Sequence, residues 1–301
     1  MKQSLDFQDK TILITGSTRG IGYGYAEYLA SLGANIIVNG ISEKNVRRAV
    51  ESLRQHTGQI AGIALPVTQG EGIVEFALEK FARIDAIINN AGIVRDAQFK
   101  DMTLEQWDEI YRVHLEGAFR INKAIWPHFM ANRGGRILMT SSAAGVFGNF
   151  GQSNYSAMKA GIIGFTRTLA IEGKKHNIKV NVICPAANTD MTDALLKPEL
   201  KGYFTTDKLN PVAAYLCHDA CSDTGEVIEA GAGLIAKARY QYSEWFAQDN
   251  KPFGIDDVHN IWPELGQFES NVSHPAKISH FAKTVIGHIE AGQRIKDPDQ
   301  L

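Results

Sequence analysis

Residues 11–22 read TILITGSTRGIG, and this stretch decides the fold. The apolar and β-branched residues 11–15 predict a buried strand, and a glycine-rich turn leads from it directly into a predicted helix. Glycine allows the backbone angles of the turn and a close approach to a ligand, while the amino end of the helix offers free N–H groups to phosphate. The spacing G-x-x-x-G-x-G also occurs in ordinary turns. The order strand, turn, helix favours a dinucleotide site.

Apolar strands and helices alternate along the rest of the chain. We predict strands at residues 11–15, 35–39, 60–67, 85–89, 136–140, 179–183 and 227–230, and helices at 20–31, 43–56, 72–83, 103–130 and 155–173. Strands that are apolar throughout are buried on both faces, which is typical of a parallel sheet covered by helices. The predicted fold class is therefore α/β, with a doubly wound, seven-stranded parallel sheet of the Rossmann-like type.

The chain is expected to divide into two parts. Residues 1–239 contain the predicted strands and form the Rossmann domain. Residues 240–301 are rich in aromatic residues, show no strand pattern and include a predicted helix at 279–291. A domain of about 60 residues is only marginally stable alone. We therefore expect a helical extension that completes the substrate site or a dimer.

Composition argues against several classes of protein. The 301 residues include 31 Lys and Arg against 33 Asp and Glu, a formal charge of −2 that does not favour a nucleic-acid partner. The sequence lacks both a membrane-spanning apolar run and the apolar core of a signal peptide. Its three cysteines form no disulfide framework, and Cys217-x-x-x-Cys221 lacks the second ligand pair of a zinc site, so no metal is predicted. We expect a cytoplasmic protein without membrane or nucleic-acid partners.

Three residues have the spacing of a catalytic group, S-x12-Y-x3-K. They are Ser142, Tyr155 and Lys159, and a tyrosine and a lysine four residues apart share one face of a helix. A free phenol has a pKa near 10, which the lysine and an oxidised nicotinamide are expected to lower. Tyr155 then exchanges a proton with an alcohol or carbonyl oxygen that Ser142 helps to hold. Taken alone, the tyrosine and lysine are equally compatible with an exposed surface pair.

The end of the second predicted strand bears on the choice of cofactor. It reads NGIS at residues 39–42 and lacks the acidic residue that bonds the ribose in NAD sites. Arg19 in the turn can pair with a 2′-phosphate, which favours NADP(H), although NAD(H) stays possible and Arg19 can equally point to solvent. The NNAG at residues 89–92 is either an approach to the adenosine and ribose or a plain turn.

Taken together, TGSTRGIG at 15–22, NNAG at 89–92, Ser142 and YSAMK at 155–159 resemble the short-chain dehydrogenase/reductase family. The resemblance covers residues 8 to about 233 and is greatest to the (3R)-hydroxyacyl-CoA dehydrogenase units of type 2 multifunctional enzymes. It implies an NAD(P)-dependent oxidoreductase that acts on (3R)-3-hydroxyacyl or 3-oxoacyl thioesters of CoA, as a homodimer or homotetramer. The catalytic residues it implies are Ser142, Tyr155, Lys159 and His114. The cofactor-binding residues it implies are Gly16, Ser17, Arg19, Gly20, Ile21, Gly22, Val67, Asn90, Ala91, Gly92, Tyr155, Lys159, Ile183 and Thr189.

Some positions depart from the family pattern. His114 stands where many members have a catalytic asparagine, and it is either a proton relay or a structural imidazole. Pro66 and Val67 stand where an aspartate often contacts the adenine. The absence of the acidic residue after the second strand makes the NAD preference of these relatives non-transferable.

Two other functions compete with the acyl-CoA reading. The same three catalytic residues would serve a hydroxysteroid or other secondary-alcohol dehydrogenase or carbonyl reductase. A non-catalytic NADP(H)-binding sensor is a third possibility, against which the intact Ser142, Tyr155 and Lys159 argue.

Overall fold

The computed structural model describes residues 5–56, 58–189, 198–243, 245–246 and 252–265. Eight strands form one sheet in the order β3-β2-β1-β4-β5-β6-β7-β8. The strands are β1 (Thr11–Ile14), β2 (Asn35–Gly40), β3 (Ile60–Ala64), β4 (Ala86–Asn89), β5 (Gly135–Thr140), β6 (Ile178–Ala186), β7 (Val227–Gly231) and β8 (Leu234–Ala238). The helices are α1 (Gly20–Ser31), α2 (Glu43–Leu53), α3 (Gly70–Phe81), α4 (Leu104–Tyr111), α5 (Gly117–Ala131), α6 (Ala143–Phe147), α7 (Ser153–Gly173), α8 (Pro198–Lys201), α9 (Asn210–Cys217) and α10 (Ile255–Ile261).

Strand β1 lies between β2 and β4, and the three strands are parallel. Ile12 of β1 is in register with Ile36 of β2 and with Ala86 of β4. The chain order therefore reverses between β1 and β4, and open α/β sheets bind ligands beyond the carboxyl ends of the strands at such a point. The α/β, Rossmann-like fold class predicted from the sequence is confirmed.

The core lies on both faces of the sheet, because alternate strand residues point to opposite sides. Ile12 and Ile14 pack in one cluster with Tyr25 and Leu29 of α1. Leu13, between them in β1, is equally buried and faces the other way. A strand that is buried on both faces must be apolar at every position, which is why the predicted strands read as continuous apolar runs.

The sheet has one strand more than the seven predicted. Strand β8 follows β7 after only two residues, Ala232 and Gly233, which both adopt left-handed backbone angles with φ of 51° and 84°. A two-residue turn of this kind joins antiparallel strands. Four of the five residues of β8 are exposed, so this strand lacks the continuous burial that marks the others. The expectation that strands end before residue 233 is therefore wrong.

The helix predicted at residues 103–130 is interrupted in its middle. Thr103 caps α4 through a capping box with Gln106. Residues Arg112–Glu116 then form a π-helical turn before α5 begins. Such turns insert into α-helices frequently at functional sites, and no local pattern in this segment predicts one.

The chain separates into two compact units, one up to Lys237 and one from Ala238 onward. In the second unit the structure describes helix α10. The predicted helix at 279–291 lies outside the described residues, so the role of the extension stays a prediction. Among the helices that the structure describes, none combines the length and the apolar character needed to cross a membrane.

Candidate active site

The glycine-rich turn after β1 requires glycine for two different reasons. Gly16 and Gly20 have φ of 63° and 58°, in the left-handed region that favours glycine. Gly22 has a helical backbone, but a Cβ there would lie 2.5 Å from the carbonyl oxygen of Gly16 and against the Asn90 amide. The turn therefore keeps its backbone bare at the amino end of α1, as the sequence predicts for a phosphate site.

Hydrogen bonds join this turn to the loop after β4. The Thr15 hydroxyl oxygen accepts from the backbone N–H groups of Asn90 at 3.0 Å and Ala91 at 3.1 Å. The Asn90 side chain donates to the carbonyl oxygens of Thr15 at 3.1 Å and Gly16 at 3.2 Å. Two motifs about 75 residues apart in sequence thus form one surface at the point where the chain order reverses.

The other predicted cofactor residues lie around this surface in different roles. Ser17 is fully buried, and its hydroxyl donates to the Ile14 carbonyl while accepting from the Asn39 N–H, so its side chain supports the turn internally. Arg19 is exposed at the start of α1. A Cβ on Gly20 would lie 3.8 Å from the Thr189 side chain, which brings these two residues together. Ile21 is half-buried, and Val67 and Ile183 are buried.

The three predicted catalytic residues come from the carboxyl end of β5 and the first turns of α7. Ser142 follows β5 and caps α6, with its oxygen accepting from the Ala144 N–H at 3.2 Å. Tyr155 lies in the first turn of α7 and Lys159 one turn later. The Lys159 Nζ atom lies 5.5 Å from the centre of the Tyr155 ring. Lys159 is 3% exposed, which rules out the alternative of an exposed surface pair.

The environment of Lys159 opposes its charge. The Lys159 Nζ atom donates to the Thr140 carbonyl oxygen at 2.6 Å. The Ser141 hydroxyl donates to the backbone carbonyl oxygen of Lys159 at 2.7 Å. Burial lowers the pKa of Lys159 to about 7, because removal from water penalises the charged form. The lysine is therefore fixed in place and poised to change protonation near neutral pH.

Burial has the opposite effect on Tyr155. It raises the pKa of the phenol above its ordinary value, and the hydrogen bond with the Ser142 side chain acts in the lowering direction but is the smaller influence. Lys159 was expected to lower the pKa of Tyr155, but it is not among the groups that shift this pKa. Lowering by a bound nicotinamide stays a prediction.

His114 lies in the π-helical turn and packs beside Tyr155. The two rings meet edge to face, with centres 5.2 Å apart. The Nε2 atom lies 2.8 Å from the Ile93 carbonyl oxygen and 3.1 Å from the Ile93 N–H nitrogen, so either tautomer of the neutral ring finds a partner at Ile93. Burial lowers the pKa of His114 to about 3. This imidazole is neutral at physiological pH, which favours a structural role over proton relay.

The comparison with known proteins agrees with this geometry. Residues 10–200 match the family model described as short chain dehydrogenase. The chain belongs to the short-chain dehydrogenase/reductase family. It is an NAD(P)-dependent oxidoreductase of that family.

Several relatives of this short-chain dehydrogenase are multifunctional enzymes. It is 39% identical over 297 residues to the peroxisomal multifunctional enzyme type 2 of Mus musculus, covering 95% of this chain and 40% of that protein. It is 36% identical over 242 residues to a 3-oxoacyl-[acyl-carrier-protein] reductase of Thermotoga maritima, covering 76% of this chain and 98% of that protein. The solved structure of full-length peroxisomal multifunctional enzyme type 2 from Drosophila melanogaster matches with a TM-score of 0.83 at 30% identity. That match covers 95% of this chain and 50% of the Drosophila chain.

The chain thus spans half or less of the length of the two multifunctional proteins. The resemblance to their group that the sequence indicates is confirmed. Their complete activities are properties of longer proteins.

The residues of this short-chain dehydrogenase fit a nicotinamide dinucleotide. A Cβ at Gly16 or Gly22 would clash with neighbouring protein atoms, so the turn takes glycine at both positions. A glycine-rich turn of this kind at the amino end of a helix suits a pyrophosphate. A small cavity beside it is lined by Thr15, Ala91, His114, Thr140 and Lys159, among other residues. Within the part of the chain that is described, the Nδ1 atom of His114 and the Oγ1 atom of Thr140 are buried without a hydrogen-bond partner. The cavity thus lies between Thr15, which precedes the phosphate turn, and Lys159.

Sequence reasoning missed Asn154, which positions the catalytic tyrosine of this short-chain dehydrogenase. Its fully buried side chain donates to the carbonyl oxygens of Arg95 at 3.1 Å and Gln106 at 3.2 Å. Its own Oδ1 atom accepts from the Tyr155 N–H at 2.7 Å. One amide thus ties the start of α7 to α4 and to the loop after β4. The one signal for Asn154 in the sequence is that it directly precedes Tyr155.

Proposed function

We propose that this dehydrogenase reversibly oxidises (3R)-3-hydroxyacyl thioesters of CoA to 3-oxoacyl thioesters. The observation that carries the proposal is the convergence of Ser142 and Tyr155 beside a buried Lys159, next to a dinucleotide turn. This arrangement suits proton exchange with a secondary alcohol. The thioester substrate rests on the relative named as a 3-oxoacyl-[acyl-carrier-protein] reductase. The CoA ester and the stereochemistry rest on the resemblance of the sequence to (3R)-hydroxyacyl-CoA dehydrogenase units.

In the reduction direction, the Tyr155 hydroxyl donates its proton to the 3-oxo oxygen. Ser142 donates a second hydrogen bond to the same oxygen, while the Ala144 N–H holds the serine oxygen in place. In the oxidation direction, Tyr155 accepts the proton of the alcohol. The hydride is supplied or accepted by the nicotinamide ring when the cofactor is bound. Lys159 is held by the Thr140 carbonyl with its Nζ atom 5.5 Å from the centre of the tyrosine ring, and in its protonated form it favours the phenolate.

The test is a substrate panel followed at the nicotinamide absorbance band. Acetoacetyl-CoA and longer 3-oxoacyl-CoA thioesters are compared with 3-ketosteroids and simple ketones, each with NADPH and NADH. We expect the highest kcat/KM for a thioester. Steroid turnover without thioester turnover would replace this proposal by a hydroxysteroid dehydrogenase. Cofactor binding without any turnover would favour a sensor.

NADP(H) is the cofactor that we propose. Strand β2 ends at Gly40 without a carboxylate, and a Cβ on Gly40 would lie 2.7 Å from the Thr18 side chain, so the end of this strand adjoins the phosphate turn. Exposed Arg19 stands in the same turn. A 2′-phosphate there meets positive rather than negative charge. We expect kcat/KM to be higher for NADPH than for NADH, and Arg19→Ala to reduce this ratio about 10-fold, as loss of one charge-assisted contact implies.

Two properties of the protein in the cell are also proposals. We propose a homodimer or homotetramer that associates through the long helices, since Phe119 of α5 is half-exposed beside Phe165 of α7. We propose a cytoplasmic location from the composition, although the mouse and fly relatives are named as peroxisomal. A fluorescent fusion imaged with a peroxisomal marker tests the location.

A further inference from the structure

Four large apolar side chains stand exposed on two segments next to the catalytic residues. Phe147 and Phe150 are 75% and 83% exposed and lie in the segment between Ser142 and Tyr155. Phe99 and Leu104 are 79% and 83% exposed and lie in the segment that runs from the end of β4 to the first residue of α4. We call these four residues the apolar strip. Single exposed apolar residues are ordinary, whereas a group of them at one place marks a binding surface.

The backbone holds the two segments of the apolar strip side by side. Ala97 and Gln152 form a parallel bridge, in which the Ala97 N–H donates to the Gly151 carbonyl at 2.9 Å. Further along, the Ser153 hydroxyl donates to the Met102 sulfur at 3.4 Å. Met102 lies between Phe99 and Leu104, and Ser153 follows Phe150 by three residues. The two segments that carry the apolar strip are therefore adjacent along their backbones.

Polar side chains anchor these loops from below. Gln152 is buried, and its amide donates to both carboxylate oxygens of Asp96, at 3.1 and 3.0 Å. The side-chain amide of Asn149 in turn donates to the side-chain Oε1 atom of Gln152 at 2.9 Å. A polar side chain is thus buried here while aromatic rings are exposed, which is the opposite of the usual distribution in a folded protein. Because the loops are already fixed, a ligand that covers the rings loses little free energy in ordering them.

The apolar strip leads directly to the reacting groups. Phe147 ends the short helix α6 that Ser142 caps. Phe150 precedes Tyr155 by five residues, in the loop that enters α7. A substrate whose oxygen lies between Ser142 and Tyr155 must extend out of the site, and this segment forms one of its walls. Four side chains are too few for a protein interface, which typically involves about 20–30 residues on each side.

We propose that the apolar strip binds the hydrocarbon chain of the substrate and makes the enzyme prefer longer acyl groups. The proposal rests on the proposed thioester function and adds the residues that read chain length. Each methylene that reaches the strip leaves water for an apolar surface. The strip thus acts on kcat/KM for long chains and leaves the shortest substrate unaffected.

The experiment measures kcat/KM for 3-oxoacyl-CoA thioesters from C4 to C16 with NADPH. The wild type is compared with Phe147→Gln/Phe150→Gln and with the control Ile171→Gln, an exposed apolar residue near the other end of α7. In the wild type we expect a rise of about two- to fourfold per methylene until the strip is covered, as burial of a CH₂ group implies. The double variant should match the wild type at C4 within about twofold and fall at least about 10-fold below it at C10. The control should retain the wild-type slope.

Three outcomes would overturn the proposal. One is an equal dependence on chain length in the wild type and the double variant. Another is a wild type that turns over C4 to C16 with equal kcat/KM. The third is a change of oligomeric state in the double variant, measured by light scattering, with the chain-length slope intact. Phe150→Gln alone, with melting temperature as the check on folding, serves if the double variant fails to fold.

The failure of the thioester function itself is recognised separately. In that case no 3-oxoacyl-CoA is reduced, and a series of unbranched 2-ketones replaces the thioesters. If kcat/KM in that series changes with chain length in a way that depends on Phe147 and Phe150, the proposal for the apolar strip stands and the proposal of a thioester substrate is rejected. If the chain-length slope in the ketone series does not depend on Phe147 and Phe150, the proposal for the apolar strip is overturned as well.

Discussion

Burial is the strongest influence on the pKa values of the individual titratable residues in the candidate site. It raises the pKa of Tyr155, lowers that of Lys159 to about 7 and lowers that of His114 to about 3. In each case removal from water disfavours the charged form. These three neighbours are therefore uncharged over much of the neutral to alkaline range, and charge in the site depends on the ligands that it takes.

The raised pKa of Tyr155 predicts different pH profiles for the two reaction directions. Oxidation requires the phenolate, so its kcat/KM should still be increasing at pH 9. Reduction requires the protonated phenol and should change little between pH 6 and 9. Initial rates in both directions test this, and Tyr155→Phe should lose about 10³-fold in kcat while retaining cofactor affinity by fluorescence titration. An oxidation plateau below pH 8 would show that a bound nicotinamide overrides burial.

Replacement of Lys159 by Met is expected to stabilise the fold while abolishing turnover. The folded-state pKa of about 7 lies below the unfolded value of 10.5, so folding releases a proton between these pH values. The ammonium therefore destabilises the folded state most below pH 7, and this penalty disappears as pH rises toward 10.5. We expect Lys159→Met to raise the Tm by several degrees at pH 6 and by less at pH 10, measured by calorimetry.

Lys123, an exposed lysine of α5, provides the matched control. Lys123→Met should leave the Tm within about one degree of the wild type at both pH values, because an exposed ammonium loses no hydration on folding. A Tm gain at Lys159 that is independent of pH would mean that packing rather than charge is responsible. A loss at both pH values would mean that the bond to the Thr140 carbonyl outweighs the cost of burial.

At the level of elements, the site depends on how α4, α7 and the loop after β4 are joined. Asn154 makes this connection with one buried amide. His114 makes a second connection, from the π-helical turn to Ile93 in the loop. Gly92 completes the contact, since a Cβ there would lie 2.7 Å from the His114 ring. Asn154 thus holds the backbone at Tyr155, and His114 packs against the Tyr155 ring.

Asn154→Ala should therefore reduce both stability and turnover. It removes the donors to the part-buried carbonyl oxygens of Arg95 and Gln106, which costs about 2 kcal/mol and lowers the Tm by about 4–8 °C in a chain of this size. Because the first turn of α7 is released from α4, kcat should fall while the KM for the cofactor changes little. Thermal melts and initial rates measure the two effects. Asn132→Ala, at the exposed end of α5, is the control and should change the Tm by less than about 2 °C.

The sequence predicts individual elements well where their signals are local. Helix α1 is predicted to the residue, because glycines mark its start and Gly33 follows its end. Strand β6 was predicted to end at residue 183 but continues to Ala186, because β7 pairs with it through Pro185. The spacing of Ser142, Tyr155 and Lys159 indicated the catalytic group directly. The role of Asn154 was not predictable, since it depends on contacts with backbone atoms that carry no sequence signature. For His114 the sequence indicated the position and left a proton relay and a structural imidazole as alternatives.

At the level of the whole molecule, the sheet order follows from chirality and burial. Right-handed crossovers allow few arrangements of alternating parallel strands and helices, so the fold class is predictable from the periodicity alone. The eighth strand is the exception, because an exposed strand after a hairpin turn has no burial pattern to reveal it. Leu234 and Ile235 on that strand are exposed apolar residues at the edge of the sheet.

Association of subunits should depend on the exposed surface of α5. Phe119 is half-exposed on this helix, with its ring centre 6.4 Å from that of Phe165 on α7. If the long helices form the proposed interface, Phe119→Glu buries an unpaired charge and should shift the protein to monomers. Sedimentation at several concentrations tests this, with Phe253→Glu, an exposed phenylalanine of the second unit, as the control. An unchanged mass for Phe119→Glu would place the interface elsewhere.

The π-helical turn at Arg112–Glu116 also restricts which changes of chain length the enzyme can tolerate. A π-turn holds one residue more than an α-turn within the same full rotation, so deletion of one residue there restores a regular helix and leaves the faces of α4 and α5 in phase. Each residue of an α-helix accounts for about 100° of rotation, so a deletion at the start of α5 itself would turn the rest of that helix and take Ile121 and Phe129 out of the core. We infer that a one-residue deletion within the π-helical turn spares the core and acts on the contact between His114 and Tyr155, whereas the same deletion within α5 unfolds the helix from the sheet.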